Sequence, residues 1–433
     1  MKKRILWLSL VFAFLCLPWS APCKTNEELA RENEDLRRRV EQLEQQLEVV
    51  MQALDVKSDA DASAPKSAET SKPGKPSFPI TGQFPLEVYG HFRLDTAYDD
   101  SRTNSGNTAK YARSGPDEDD DEFNMTARHT RLGLRLNVPE TNRIKIDGRA
   151  EVDFYGKGDE LQNNLRLRHA YFTLRFPDAW TLLAGQTWDV HAPANAKTLN
   201  TAIGWGSGNL GYRRPQLRLE KGFGDSDRRL LVQLAAARPY ASDHDADTHD
   251  DAEDAGIPDL QARVSYQFPG PAGKPITLGL GGHWGQREMD LDGLGDEDFD
   301  SWSLVLDAHI PFHEMLALEG ELWTGQFLEA YQGGILQGFN ASDGEEVESR
   351  GGFAQLLFTP SKDWKAFAGF GIDDPVDSTV SKRKQNAMYF VNVRRSLTRN
   401  AWIGLEYMRL VTDYKDGDRA EDNRFQTTFY LWY

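Results

Sequence analysis

The chain has 433 residues, a net charge of −17, 39% hydrophobic and 11% aromatic residues, and two cysteines, Cys16 and Cys23. That cysteine usage excludes a disulfide-stapled scaffold and a cysteine zinc site, and an acidic chain without a basic tract is not built to bind nucleic acid. After the start no apolar run reaches the roughly 18 residues of a membrane helix, but a transmembrane β-barrel stays open, because it needs apolar residues only at alternate positions.

Lys2, Lys3 and Arg4 precede an apolar stretch at 5–17, and Ala21-Pro22-Cys23 offers small residues for cleavage. Residues 1–23 therefore read as an export signal, cut after Cys23. A lipid anchor on Cys23 is the weaker alternative, since Ser20 rather than an apolar residue sits three positions earlier.

Residues 24–57 carry an unbroken heptad register. Positions a are Asn26, Asn33, Val40, Leu47 and Leu54, and positions d are Leu29, Leu36, Leu43 and Val50. A single helix with so narrow a stripe buries too little to be stable, so the segment needs partner helices, and identical ones are the simplest. Val at a with Leu at d leans towards two strands. Against that, Arg39-Val40-Glu41-Gln42-Leu43-Glu44 resembles the pattern of trimeric coiled coils, in which Arg39 at g reaches Glu44 at e of a neighbouring chain. The expectation is a homotrimer held by Leu29, Asn33, Leu36, Arg39, Val40, Leu43, Glu44, Leu47, Val50 and Leu54; a helix packed on the chain's own barrel is the alternative. Residues 58–84, rich in Ala, Ser, Pro and Lys, read as a flexible linker.

From residue 85 the period changes to two. Alternation recurs at 86–95, 125–138, 143–155, 164–176, 180–187, 213–223, 228–239, 259–268, 274–287, 300–311, 314–325, 349–359, 363–373, 385–396, 400–412 and 422–433. Segments of this length suit tilted strands crossing a bilayer. Every second connection is short, such as Pro177-Asp178-Ala179 or Pro360-Ser361-Lys362, and the rest are long. That rhythm predicts an all-β fold over residues 85–433: a 16-stranded antiparallel transmembrane barrel after an α-helical coiled-coil segment. Its short turns would face the periplasm and its long loops the exterior. A soluble β-sandwich would show an apolar inner face and a polar outer one; here the polar set carries many charges, which predicts an apolar outside and a wet inside without an apolar interior. Phe425, Thr427, Phe429, Leu431 and Tyr433 alternate up to a terminal aromatic, which resembles the strand by which outer-membrane barrels are recognised for insertion. Trp180, Trp364, Trp402 and Tyr407 suit interfacial girdles or, for some, the lumen.

The acidity sits in the long loops, in tracts such as 117–122, 243–254 and 288–300. These read as solvated surface, with divalent cations shared with lipopolysaccharide as the sharper alternative; their spacing matches no dedicated metal site. The strands are net basic. With apolar residues facing lipid, Arg131, Arg135, Arg149, Arg166, Arg168, Arg214, Arg218 and Arg263 face the lumen, where some pair with carboxylates and the set favours anionic solutes. The third long loop, residues 189–212, has only Asp189 and Lys197 as charges and carries Gly204, Trp205, Gly206, Gly208 and Gly211. Such a loop can leave bulk water, fold into the lumen and place Trp205 at a constriction; an exposed loop touching a neighbouring subunit is the alternative.

Together the heptads, Val88-Tyr89-Gly90-His91-Phe92-Arg93-Leu94-Asp95, Arg168-His169-Ala170-Tyr171, Gly185-Gln186-Thr187-Trp188 and Arg214-Pro215-Gln216-Leu217-Arg218 resemble the DcaP-like outer-membrane porins. The resemblance implies a trimeric, water-filled channel for small hydrophilic solutes, with anionic organic molecules preferred. It implies the outer membrane, with the N-terminal segment in the periplasm, and lipid and lipopolysaccharide as surroundings. No cofactor, metal or catalytic residue is expected. A structural link to the cell wall through the coiled coil is the rival reading. A barrel enzyme is the weaker one, as none of the nine histidines falls in a motif with Ser and Asp.

Overall fold

The computed structural model describes residues 77–78 and 85–433, apart from 116–118, 142, 157–162, 243–250, 292–294, 341, 343, 377 and 381. The export signal, the coiled coil with its trimerisation residues, and most of the linker lie outside the described residues. Near the linker's end, Ser77–Phe78 pairs with Glu87 and Leu86.

Sixteen strands follow: β1 (Leu86–Asp99), β2 in two pieces (Glu122–Thr126 and Arg131–Thr141), β3 (Ile144–Asp153), β4 (Arg166–Arg175), β5 (Trp180–Trp188), β6 (Arg213–Gly224), β7 (Arg229–Ala237), β8 (Asp259–Pro269), β9 (Pro275–Leu291), β10 (Gly295–His313), β11 (Leu316–Gln326), β12 (Glu348–Phe358), β13 (Trp364–Pro375), β14 (Arg383–Ser396), β15 (Ala401–Tyr414) and β16 (Arg419–Trp432). Each pairs antiparallel with its sequence neighbours. β16 returns to β1, with His91 opposite Trp432 and Asp99 opposite Arg424, so the sheet closes on itself without an edge. Closure satisfies every ladder group, which is the condition for a strand to live in hydrocarbon.

The period of two sets which side chains face lipid. Val88, Phe92, Leu132, Leu134, Leu217, Leu304 and Leu322 all stand exposed on the outside, while the alternate positions carry buried polar groups such as Asp95, Gln261 and Thr428. In water this would be an inverted protein; in a bilayer it is a barrel wall. Trp180, Trp364 and Tyr407 are exposed on that face. Trp402 instead points inward, stacked on Tyr430 with ring centroids 4.9 Å apart.

Three features depart from the sequence reading. The stretch 288–300 is not a loop but a continuation of the β9–β10 hairpin, paired to its tip at Leu291 and Gly295. Its acidic residues disguised an apolar set: Met289 is buried with Phe327 and Phe339, and Phe299 packs beside them. The second strand is interrupted at 127–130, where its first piece pairs with the upper half of β1 and its second with the lower half. Finally, the interior is not wholly wet. Phe353, Phe367, Met388, Phe390, Met408 and Leu410 form an apolar cluster on the inner wall of β12–β15, closed by Ala109 and Ala112 of the first loop and Ala196 of the third. Val305 and Trp323 do the same with Ala192 and Leu210 of the third loop and Leu328 and Tyr331 after β11. Loops folded inward cover these patches and keep them from water.

Candidate functional site

The third loop leaves β5 and reaches the opposite wall of the barrel. At its tip the backbone N–H groups of Leu199 and Asn200 donate to the two carboxyl oxygens of Glu406 on β15, at 2.6 and 2.9 Å. Lys197 N–H donates to Gln355 Oε1 on β12 at 2.7 Å. Arg394 donates to the carbonyl of Lys197 at 2.5 Å, and Arg93 to that of Leu199. On the returning limb Leu210 N–H donates to Glu321 Oε1 at 2.8 Å, and Trp323 Nε1 donates to the Gly208 carbonyl at 2.8 Å. Wall side chains thus satisfy backbone groups that an inward loop would otherwise leave stranded. The glycines permit the path: at Gly208, with φ +107°, a Cβ would lie 2.1 Å from the Gly352 carbonyl oxygen.

The roots of the loop are held by a fully buried ionic group. Arg214 lies 2.8 Å from Asp189 and 3.0 Å from Asp259, and Arg287 lies 2.9 Å from Asp259. Asp189 also accepts Tyr212 N–H at 2.8 Å, which ties the first and last residues of the loop together. Tyr331 Oη donates to Asp259 at 2.6 Å, and the Arg214 guanidinium lies 3.9 Å from its ring centroid. Two arginines and two aspartates balance, so the group survives burial; removing one member would strand a charge at a cost of roughly 3–5 kcal/mol.

All eight arginines singled out in the sequence face inward, and each has a carboxylate partner. Four of them, Arg131, Arg149, Arg166 and Arg168, converge on two carboxylates. Glu151 meets Arg131 at 3.6 Å, Arg149 at 2.7 Å and Arg168 at 2.9 Å; Asp153 meets Arg166 at 2.7 Å and Arg168 at 3.0 Å. Arg135 stands beside them, directly opposite Arg149 in the ladder, 3.5 Å from Glu87 and over the Tyr89 ring. This wall patch keeps an excess of positive charge, and the side chains of Arg131, Arg149 and Arg135 stay 31%, 30% and 44% exposed towards the lumen. The other three are not part of it. Arg218 pairs with Glu220 at 3.4 Å, and Arg263 pairs with Asp307 at 2.7 Å. Arg214 has no exposed surface, so it cannot line open water, contrary to expectation. Trp205 is also buried, inside the loop, its Nε1 donating to the Gly211 carbonyl.

Sequence parity missed several members. A β-bulge opposite Glu151 and Val152 turns both Arg168 and His169 inward. Arg213 forms no ion pair among the described residues; its guanidinium lies 4.5 Å from the Trp188 ring centroid and 4.8 Å from that of Tyr212, a cation–π setting. Lys110 of the first loop donates to Gln332 Oε1 at 2.8 Å and sits 5.7 Å from the Trp205 ring centroid. Burial first, and the charge of Arg166 second, lower its pKa to about 8. Its positive charge is therefore present below pH 8 and lost as pH rises past it. Any anion preference of the lumen should fall between pH 7 and pH 9, a step that Lys110→Met removes; reversal potentials at the two pH values check this.

Among the described residues no three His, Cys, Asp or Glu side chains are grouped to hold a metal ion. The arrangement can discriminate charge and limit passage.

The model of the DcaP outer membrane protein family matches residues 23–249. Among solved structures, the outer membrane channel DcaP of Acinetobacter baumannii aligns with a TM-score of 0.69 at 18% identity, over 82% of this chain and 99% of that one. An anion-selective porin from Comamonas acidovorans aligns with a TM-score of 0.55 at 13% identity, over 81% and 100% of the two chains. OmpF of Salmonella typhi, in complex with daunomycin, gives 0.55 at 11% identity, over 81% and 98%. These likenesses are of fold. No sequence among the curated proteins matches.

Proposed function

The chain belongs to the DcaP outer membrane protein family, and on that premise we propose that it is a porin, a water-filled channel for small hydrophilic and preferentially anionic solutes. One observation carries the reading: the third loop crosses the barrel interior and is fastened to the far wall, while a patch with more arginines than carboxylates stays partly open on β2–β4. A loop that narrows the lumen brings a passing ion within a few ångströms of that patch, where screening is weak. Carboxylates farther than roughly 8–10 Å from the path of a passing ion would be largely screened at physiological salt. The short turns would then face the periplasm and the loops the exterior. Planar-bilayer recording on purified protein tests the reading: discrete conductance steps are expected, larger after deletion of residues 194–208, and an inactive wild type would refute it.

The proposed channel is a homotrimer, assembled partly through the heptads at 26–54. Their register and the placement of Arg39 and Glu44 support this. Chemical cross-linking should yield trimers, weakened but not replaced by unfolded protein when residues 24–57 are removed, because the linker separates the two parts. A ladder that stops at monomer or dimer would count against it.

A further inference from the structure

Burial obliges a guanidinium to find acceptors. Among the barrel's arginines Arg214 has Asp189 and Asp259, Arg287 has Asp259, Arg263 has Asp307, and Arg424 has both oxygens of Asp99. Arg394 forms no ion pair among the described residues, but it donates to Asn392 Oδ1 and to the carbonyls of Lys197 and Thr198. Arg213 departs from this pattern. It opens β6 directly opposite Trp188, the last residue of β5, and is only 3% exposed. Three rings surround its guanidinium at the neck of the third loop, with centroids at 4.5 Å for Trp188, 4.8 Å for Tyr212 and 6.0 Å for Trp205. The rings also hold one another, Trp205 lying 6.3 Å from Trp188 and 5.2 Å from Tyr212. Cation–π attraction therefore fixes where the charge sits, but it supplies no acceptor.

The Arg213 side chain makes no hydrogen bond and no ion pair among the described residues. The strongest charges acting on it, those of Arg168, Arg166 and Arg131, share its sign. The Nε atoms of Arg214 and Arg287 are sealed without a hydrogen-bond partner; the Arg213 nitrogens are not, and each keeps a little contact with solvent. N–H donors without an acceptor, in surroundings of one sign, draw an anion. The rings narrow its class. Their faces carry the negative part of the quadrupole and repel an anion, which leaves the guanidinium edge as its approach. They cannot replace the water an anion sheds on entering, so an anion that holds its water loosely loses least. The guanidinium is itself weakly hydrated, and one cation matches one negative charge.

We propose that Arg213 is a binding site for a weakly hydrated, singly charged anion. It differs in kind from the patch of Arg131, Arg135 and Arg149, which acts on passing ions at a distance. It rests on the channel reading only for its consequence, a stop at which such an anion slows the passage of chloride. Iodide is the probe, because it is weakly hydrated and quenches tryptophan fluorescence on contact. Two measurements on purified full-length protein use it: block of chloride current through single channels, and quenching of tryptophan emission, in which Trp188 reports the site. Arg213→Met removes the charge and keeps an unbranched chain against the rings; Arg213→Lys restores the charge. A saturable block and a saturable component of quenching are expected in the wild type. Both should weaken roughly tenfold in Arg213→Met, the loss of one charge-assisted contact, and largely recover in Arg213→Lys. Trp188→Phe should abolish the saturable quenching. Block and quenching that rise only linearly with iodide, or that are equal in wild type and Arg213→Met, overturn the proposal. Heat-modifiable mobility verifies the barrel in each variant, and Arg213→Gln takes the place of Arg213→Met should that variant fold poorly. Quenching needs no ion flow, so saturable, Arg213-dependent quenching in a protein that passes no current would refute the channel and leave the site standing.

Discussion

Replacing Glu406 by Leu should release the tip of the third loop and give a larger, noisier channel. Its two oxygens accept the N–H groups of Leu199 and Asn200, and Oε2 also accepts Asn392 Nδ2 at 2.9 Å. Each such bond contributes about 1 kcal/mol net, and a buried donor left without an acceptor costs about 1–3 kcal/mol. Losing the carboxyl therefore removes an acceptor and strands two backbone donors at once, several kcal/mol against a loop that must stay folded inward. Arg93 and Arg394 hold only the neighbouring carbonyls and offer no acceptor in exchange. Glu406→Gln, which keeps one oxygen, should lie between wild type and Leu. Single-channel recording reads the order directly. An unchanged conductance in Glu406→Leu, with the barrel intact by heat-modifiable mobility, would show that the tip is held elsewhere.

The second large effect concerns charge. Arg131, Arg135 and Arg149 are the most open members of the patch, while Arg168 is buried between Glu151 and Asp153. Changing the three open arginines together to Ala leaves Arg168 to neutralise Glu151 and spares the fold. A unit charge about 8 Å away favours chloride and disfavours potassium by roughly 0.5 kcal/mol each in a water-like dielectric, so three shift their ratio by about 3 kcal/mol, which salt screening at that distance cuts to about half or less. The ratio of chloride to potassium permeability should drop roughly tenfold, from anion-preferring to cation-preferring, in a reversal-potential measurement across a salt gradient. A wild type that already selects cations, or a triple variant with unaltered selectivity, would overturn the proposed role of the patch.

Most of the barrel was legible because a single rule writes it. Lipid demands an apolar side chain at every second position, and that demand is local, so even the short fifth strand, Trp180–Trp188, could be located from alternation. What the rule does not encode is what one loop does to a distant wall. Phe353, Met388 and Met408 occupy inner positions that alternation marks as wet, and they are dry only because Ala109, Ala112 and Ala196 arrive from elsewhere in the chain. The bulge at β3–β4 shifts parity by one residue, so counting in twos assigns Arg168 and His169 to opposite faces when both turn inward. Arg214 looked like the other arginines in sequence; only the approach of Asp189, Asp259 and Tyr331 makes it a structural ion. The inward arginines Arg93 and Arg394 were visible by the same parity that marked the eight, and the third loop's bonds to them explain why they matter.

The pairing of β1 with β16 also sets the order of events in biogenesis. The seam joins Asp99 to Arg424 and His91 to Trp432, so its contacts span more of the sequence than those of any hairpin in the wall. Loop-closure entropy must be met before such contacts return anything. Hairpins can form as the chain emerges, but the ring exists only once its final strand has been delivered. Until then two open edges present unpaired N–H and C=O groups, which hydrocarbon does not tolerate. Entry into hydrocarbon and closure of the seam are therefore energetically coupled, because water can solvate the two edges and lipid cannot.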